Sequence, residues 1–143
     1  MSYQNSPCKV LLVLDNKTDI DLIERAIQKA DPKIHVDLAR DGKQALSCMK
    51  AWEAGSPTPI LILLDLKLPD MDGLQVLRAL KTHSRYKIVP VVILSASGEQ
   101  SNLDQAYRMG VNSYITKAVD YDEFAKAVAL IRHYWCELNV HPE

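Results

Sequence analysis

Four residues in this chain combine reactive side chains with one local setting, a candidate strand just before and a loop just after. Asp15 follows residues 9–14, Asp65 follows 60–64, Ser95 follows 89–94 and Lys117 follows 111–116. Short apolar runs without polar alternation are the pattern of strands buried on both faces, which places the first three at a strand's carboxyl end, and the mixed segment 111–115 reads as a short fifth strand running into Thr116-Lys117. In an open parallel sheet those ends converge on one edge, where ligands bind. Two carboxylates meeting there make a hard oxygen site suited to Mg²⁺, and a hydroxyl and an ammonium beside them suit the oxygens of a phosphoryl group.

The segments between these ends must cross the sheet to bring the strands in parallel. From 18 to 30, Ile20, Ile23, Ala26, Ile27 and Ala30 recur at spacings of three and four, an amphipathic helix that Asn16 can cap and that Asp31-Pro32 closes. Residues 34–38 alternate apolar with polar, which predicts a strand at or near an edge. Asp41-Gly42 opens a second helix with Ala45, Leu46, Met49 and Trp52 inward, ending near Gly55. After Asp65 comes a loop punctuated by Pro69, with Asp70 or Asp72 placed to cap a third helix that begins near Gly73. Leu74, Val76, Leu77 and Leu80 mark that helix, and Leu103, Ala106, Tyr107 and Met109 mark a weaker fourth. The last is expected from about 120 to 138, with Phe124, Val128, Ile131, Trp135 and Leu138 on one stripe. Five strands and five helices in alternation predict an α/β, flavodoxin-like, doubly wound parallel sheet of order 2-1-3-4-5 with right-handed crossovers.

Composition narrows the class. The chain has 143 residues, 48% hydrophobic and 24% charged, with a formal net charge of −1, the profile of a soluble globular domain with no bulk basic charge for nucleic acid. One domain is expected over 9–138, with tails at 1–8 and 139–143. No basic-then-apolar leader opens the chain, and no apolar run approaches the ~18 residues of a membrane span, so a cytoplasmic location is expected. Cys8, Cys48 and Cys136 are widely spaced and unclustered with histidine, which argues for free thiols in a reducing compartment and against a Cys/His metal cage.

The four strand ends, with the loop from Asp65 to Gly73, resemble the receiver domains of bacterial two-component response regulators over 9–138. The resemblance implies a chain that takes a phosphoryl group from a sensor histidine kinase onto Asp65. It implies metal ligation by Asp15, Asp65 and the Lys67 backbone carbonyl, with Mg²⁺ as cofactor. Lys117 is the matching lysine, Ser95 the switch hydroxyl and Tyr114 the switch aromatic. No conventional enzyme is implied, only catalysis of the chain's own phosphorylation and dephosphorylation at aspartate. The loop, the Ile-Thr-Lys segment and the Tyr134-Trp135 ending look most like single-domain regulators partnered with bacterial phytochromes. Output by protein contact, and a homodimer, are then expected through the fourth helix, fifth strand and fifth helix, since 140–143 leave no room for an effector domain.

Two departures from the family pattern bear on function. Leu14 stands where receivers usually carry a second acid, and Lys67 adds a cation beside the metal position. A charge ~6 Å from a dication is worth roughly 1 to 5 kcal/mol, so weakened Mg²⁺ binding is expected. Ala118 replaces the usual proline after the lysine, so a cis bond there would cost ~2.5 to 4 kcal/mol, and a trans bond would re-aim Lys117. Leu14 also supports the alternative of a pseudo-receiver, a phosphorylation-independent interaction module.

Plainer readings stand beside these. Asp15 has a plainer reading as a turn acid, and Tyr114 reads equally as a packing aromatic. Tyr134, Trp135 and Leu138 read either as a homodimer face or as an extension folded back on its own domain. A flavin-binding protein of the same topology would need a Gly- or Ser/Thr-rich loop where Asp15-Asn16-Lys17-Thr18-Asp19 stands, and a haloacid-type phosphatase a second acid where Lys67 stands.

Overall fold

Strand ends that carry chemistry are useful only if the sheet sets them side by side, and the sheet does so. In the computed structural model, which describes residues 9–96, 99–117 and 120–142, five parallel strands alternate with five helices. The strands are β1 (Lys9–Val13), β2 (His35–Ala39), β3 (Leu61–Asp65), β4 (Val91–Ser95) and β5 (Ser113–Thr116), in the order 2-1-3-4-5. The helices are α1 (Lys17–Ala30), α2 (Gly42–Glu53), α3 (Gly73–Thr82), α4 (Gln100–Arg108) and α5 (Tyr121–Arg132). A single 3₁₀ turn at Tyr86–Ile88, which no periodicity announces, leads into β4.

Side chains alternate across each strand, so each contributes to both sheet faces. Leu11, Val13, Ile62, Leu64, Val91 and Ile93 join one core cluster with Ala45 and Met49 of α2 and Leu77 of α3. Val10, Leu12, Leu61, Leu63, Val92 and Leu94 join the other with Ile23 of α1 and Phe124 and Val128 of α5. Burial on both faces explains why β1, β3 and β4 read as unbroken apolar runs. β2 lies at the sheet edge, as its alternation predicts, and Asp37 there is ion-paired with Lys9 at 2.9 Å.

Caps fix where the helices begin. Asn16 accepts from the Asp19 N–H, Asp41 from Gln44, Asp72 from Leu74 and Asp120 from Asp122. Asp72 is thus the cap of α3. Asp70 instead accepts from Gly42 N at 2.7 Å and Lys43 N at 3.0 Å, across 28 residues of sequence, and so ties the loop after β3 to the start of α2. Gly55, expected as a left-handed terminator, has φ +111° two residues beyond α2.

The long final helix is corrected. α5 stops at Arg132, and His133–Leu138 form a π-helical turn in which Asn139 N donates to Tyr134 O, five residues back. Widening the turn breaks the predicted stripe. Phe124, Val128 and Ile131 are buried and Trp135 packs half-buried on the same cluster, but Leu138 swings out to 60% exposure. Residues 1–8, with Cys8, lie outside the described residues; Cys48 carries a free thiol.

Candidate functional site

Register brings three of the four strand-end residues together. Asp65, the last residue of β3, pairs with Leu94 of β4, and Ser95, the last of β4, pairs with Thr116 of β5. Lys117 follows directly, its N–H donating to Ser95 O at 2.7 Å. Asp65 and Ser95 are only 7% and 4% exposed, so their polar groups sit at the floor of the edge.

The centre of the site is an ion-paired triad. Lys117 Nζ donates to Asp65 Oδ2 at 2.8 Å and to Asp19 Oδ2 at 2.7 Å. The other Asp65 oxygen, Oδ1, accepts from Lys67 N at 3.1 Å. Burial disfavours the charge on Lys117, but its hydrogen bonds to Asp19 and Asp65 and their negative charges outweigh that cost and hold its pKa above the ordinary lysine value. Lys117 therefore stays an ammonium, and Asp65 presents a carboxylate whose charge one cation partly balances.

Asp15 is placed differently. It lies in the segment after β1, half-exposed, with Arg40 Nε 3.6 Å from its Oδ1 and Arg40 Nη2 donating to its carbonyl oxygen at 3.3 Å. Arg40, and not Lys117, is its cation. Lys67 is exposed, and its backbone bridges to Asp72 across the loop. Tyr114 packs half-buried against the cluster that holds α2 and α3. The Lys117–Ala118 bond runs into residues outside the described ones.

Asp19 was missed by reasoning from strand ends, because it does not lie at one. It sits in the first turn of α1, where an acid is sufficiently explained by the helix dipole. The available signal was its place in the loop-and-turn after β1, on the carboxyl edge of the sheet.

The oxygen donors suit a hard dication. Each carboxylate oxygen accepts about two bonds, so each Asp65 oxygen, carrying one, keeps a position free. Among the described residues no three acids, histidines or cysteines form a metal cage. Mg²⁺ does not require one, since it binds through one or two carboxylates and keeps several waters. Asp65, Asp15 and the Lys67 carbonyl are the groups that would hold it.

Comparison with known proteins agrees with this geometry. Residues 10–129 match the family model described as the response regulator receiver domain. The chain is 35% identical over 145 residues to the response regulator Rcp1 of Synechocystis sp., covering 99% of each. The structure of the phosphorylated cyanobacterial phytochrome response regulator RcpA superposes with a TM-score of 0.91 at 35% identity, over 96% of this chain and all of that one. The Mn²⁺-bound form of Rcp1 gives 0.89 at 33% identity, again over 96% of this chain and all of that one.

Proposed function

This chain belongs to the response regulator receiver domain family, and on that premise we propose that Asp65 is its phosphoacceptor, served by Lys117 and a divalent ion. Receiver domains are phosphorylated by histidine kinases. The observation that carries the assignment is the Asp65 carboxylate at the buried end of β3, with Lys117 Nζ 2.8 Å from one oxygen.

A carboxylate oxygen of Asp65 bonds to phosphorus as the bond from phosphorus to the donor imidazole nitrogen breaks, and that electron pair returns to the ring. Lys117 neutralises charge on the transferring group, and the rigid strand ends hold the reacting atoms in line. Asp15, Asp65 and the Lys67 carbonyl would hold a dication, which we take to be Mg²⁺, and it would supply further positive charge to the phosphoryl oxygens. Ser95 then turns its hydroxyl to the acyl phosphate and Tyr114 moves inward, which alters the surface of α4, β5 and α5.

The near end-to-end match to Rcp1 and RcpA supports a regulator that signals by protein contact, in the cytoplasm, with a phytochrome-type histidine kinase as donor. Among the described residues no helix is long and apolar enough to cross a membrane. Tyr134 and Leu138, both exposed, and the exposed Leu130 of α5 fit a second copy of this chain. Trp135 is committed to its own core. The pseudo-receiver alternative, which rests on Leu14, is not favoured by the near end-to-end match to Rcp1 and RcpA.

Incubation with acetyl phosphate and Mg²⁺ followed by intact mass tests the assignment. A single phosphoryl adduct that vanishes in Asp65→Asn and without metal is expected; no adduct at high Mg²⁺, or one that survives in Asp65→Asn, overturns it.

A further inference from the structure

Lys117 divides its ammonium between two carboxylates that are almost equally close and equally shielded. The distances are 2.7 Å to Asp19 and 2.8 Å to Asp65, and the side-chain exposures of Lys117, Asp19 and Asp65 are 14%, 14% and 9%. The contact to Asp65 belongs to the phosphoryl transfer described above. The contact to Asp19 joins residues 98 apart and has no part in it.

We propose that Asp19 is a positioning residue for phosphoryl transfer, anchoring Lys117 from the first turn of α1 while the lysine's bond to Asp65 passes to the incoming phosphoryl oxygens. This inference rests on Asp65 being the phosphoacceptor. An ammonium carries three N–H donors, of which Asp19 and Asp65 engage one each. Lys117 can therefore hand its Asp65 bond to a phosphoryl oxygen without releasing Asp19.

The anchor itself is rigid. The Asp19 N–H donates to the Asn16 cap at 3.0 Å, Ile20 N donates to Asn16 O at 3.0 Å, and Ile20 and Ile23 root the turn in the core. A lysine on a flexible four-carbon stem has no such rigidity of its own. Held by one fixed carboxylate, it meets the developing charge already oriented.

The same contact resolves the apolar residue at the end of β1. Extending the β1–β3 register by one residue sets Leu14 beside Asp65, yet Leu14 is 1% exposed and packed in the cluster with Leu12, Ile20 and Ile23. It faces the core. The second acid of this site comes from α1, five residues further on, and acts on the lysine.

The test is the initial rate of phosphorylation by acetyl phosphate at saturating Mg²⁺, followed by intact mass across donor concentrations. Wild type, Asp19→Asn, Asp19→Ala, Asp19→Glu, Lys117→Ala and the Asp19→Asn/Lys117→Ala double variant are compared. Asp19→Asn and Asp19→Ala are expected to lower the maximal rate about tenfold with the half-saturating donor concentration held within about twofold, because Asp19 touches the lysine and not the donor. Asp19→Glu regains part of the rate, and Asp19→Asn has no further effect once Lys117 is gone.

A wild-type rate in Asp19→Asn, beside an inert Asp65→Asn, overturns this inference and leaves Asp65 as acceptor. Additive losses in the double variant, or rates that follow melting temperature and not the presence of a carboxylate at 19, also overturn it. A wild-type protein that takes no phosphoryl group overturns both.

Discussion

Gly73 stands against the backbone of Asp65, so close that a Cβ placed on it would lie 2.3 Å from the Asp65 carbonyl oxygen and 2.7 Å from Leu66 Cα. Here the first residue of α3 meets the end of β3, and Gly73 N donates to Leu66 O at 2.8 Å across the intervening loop. The absence of a side chain lets the loop close tightly enough to return α3 over the sheet while leaving the Asp65 carboxylate at its edge.

Gly73→Ala therefore cannot be absorbed by a rotamer change, since the atoms in the way are backbone. The expected cost is about 1–3 kcal/mol, the usual range for overpacking. It appears as a lower denaturation midpoint with an unchanged slope. Because the strain falls on Asp65 and Leu66 themselves, the phosphorylation rate should fall as well, even at a temperature where the variant is fully folded. An unchanged midpoint would mean that the loop yields freely.

Asp70 predicts a pH effect. Its carboxylate accepts from Gly42 N and Lys43 N at the start of α2. The Gly42 bond, aided by the Lys43 bond and charge and opposed by slight burial, holds its pKa below the ordinary carboxylate value. A depressed folded pKa stabilises the native state above the unfolded value of about 3.9, and that stabilisation is lost as pH falls through the folded value. Asp70→Ala should thus melt below wild type at neutral pH, and the gap should close in acid. A gap that persists once the carboxylate is protonated would assign the effect to something other than its charge.

How far these features were legible follows from what each residue depends on. Asp65 and Ser95 could be found because a strand buried on both faces is a continuous apolar run, and its end is where that run stops, whereas Lys117 follows a short, half-buried edge strand of mixed polarity and stands out only beside the other strand ends. Asp19 and Asp70 could not, because each takes its meaning from a distant partner. Asp19 meets Lys117 across 98 residues, and Asp70 meets Gly42 across 28. Both also have adequate local explanations, as a first-turn acid and as a turn residue, and a local explanation ends the search. The chain's ending misled for another reason. The spacing from Phe124 to Leu138 is that of an α-helix, but the backbone there is π-helical, and Arg132 pairs with Glu137 five residues on at 2.9 Å.

That π-helical turn separates two residues that the stripe had joined. Trp135 rests against the cluster of Ile23, Phe124 and Val128, its ring edge-on to Tyr134 at 4.9 Å, and its carbonyl accepts from His141 Nε2 at 2.6 Å. Leu138 is 60% exposed. Trp135→Ala should cost about 1–3 kcal/mol, less than a fully buried aromatic because the ring is half-covered. Leu138→Ala should change stability by no more than about 0.5 kcal/mol, as surface substitutions do. If Leu138 and Tyr134 meet a second copy of the chain, Tyr134→Ser/Leu138→Ser weakens association in sedimentation while leaving the denaturation midpoint of the monomer in place. Trp135→Ala does the reverse, lowering the midpoint first. A monomer at high concentration, phosphorylated or not, would remove the second copy as a partner and leave the exposed pair facing solvent.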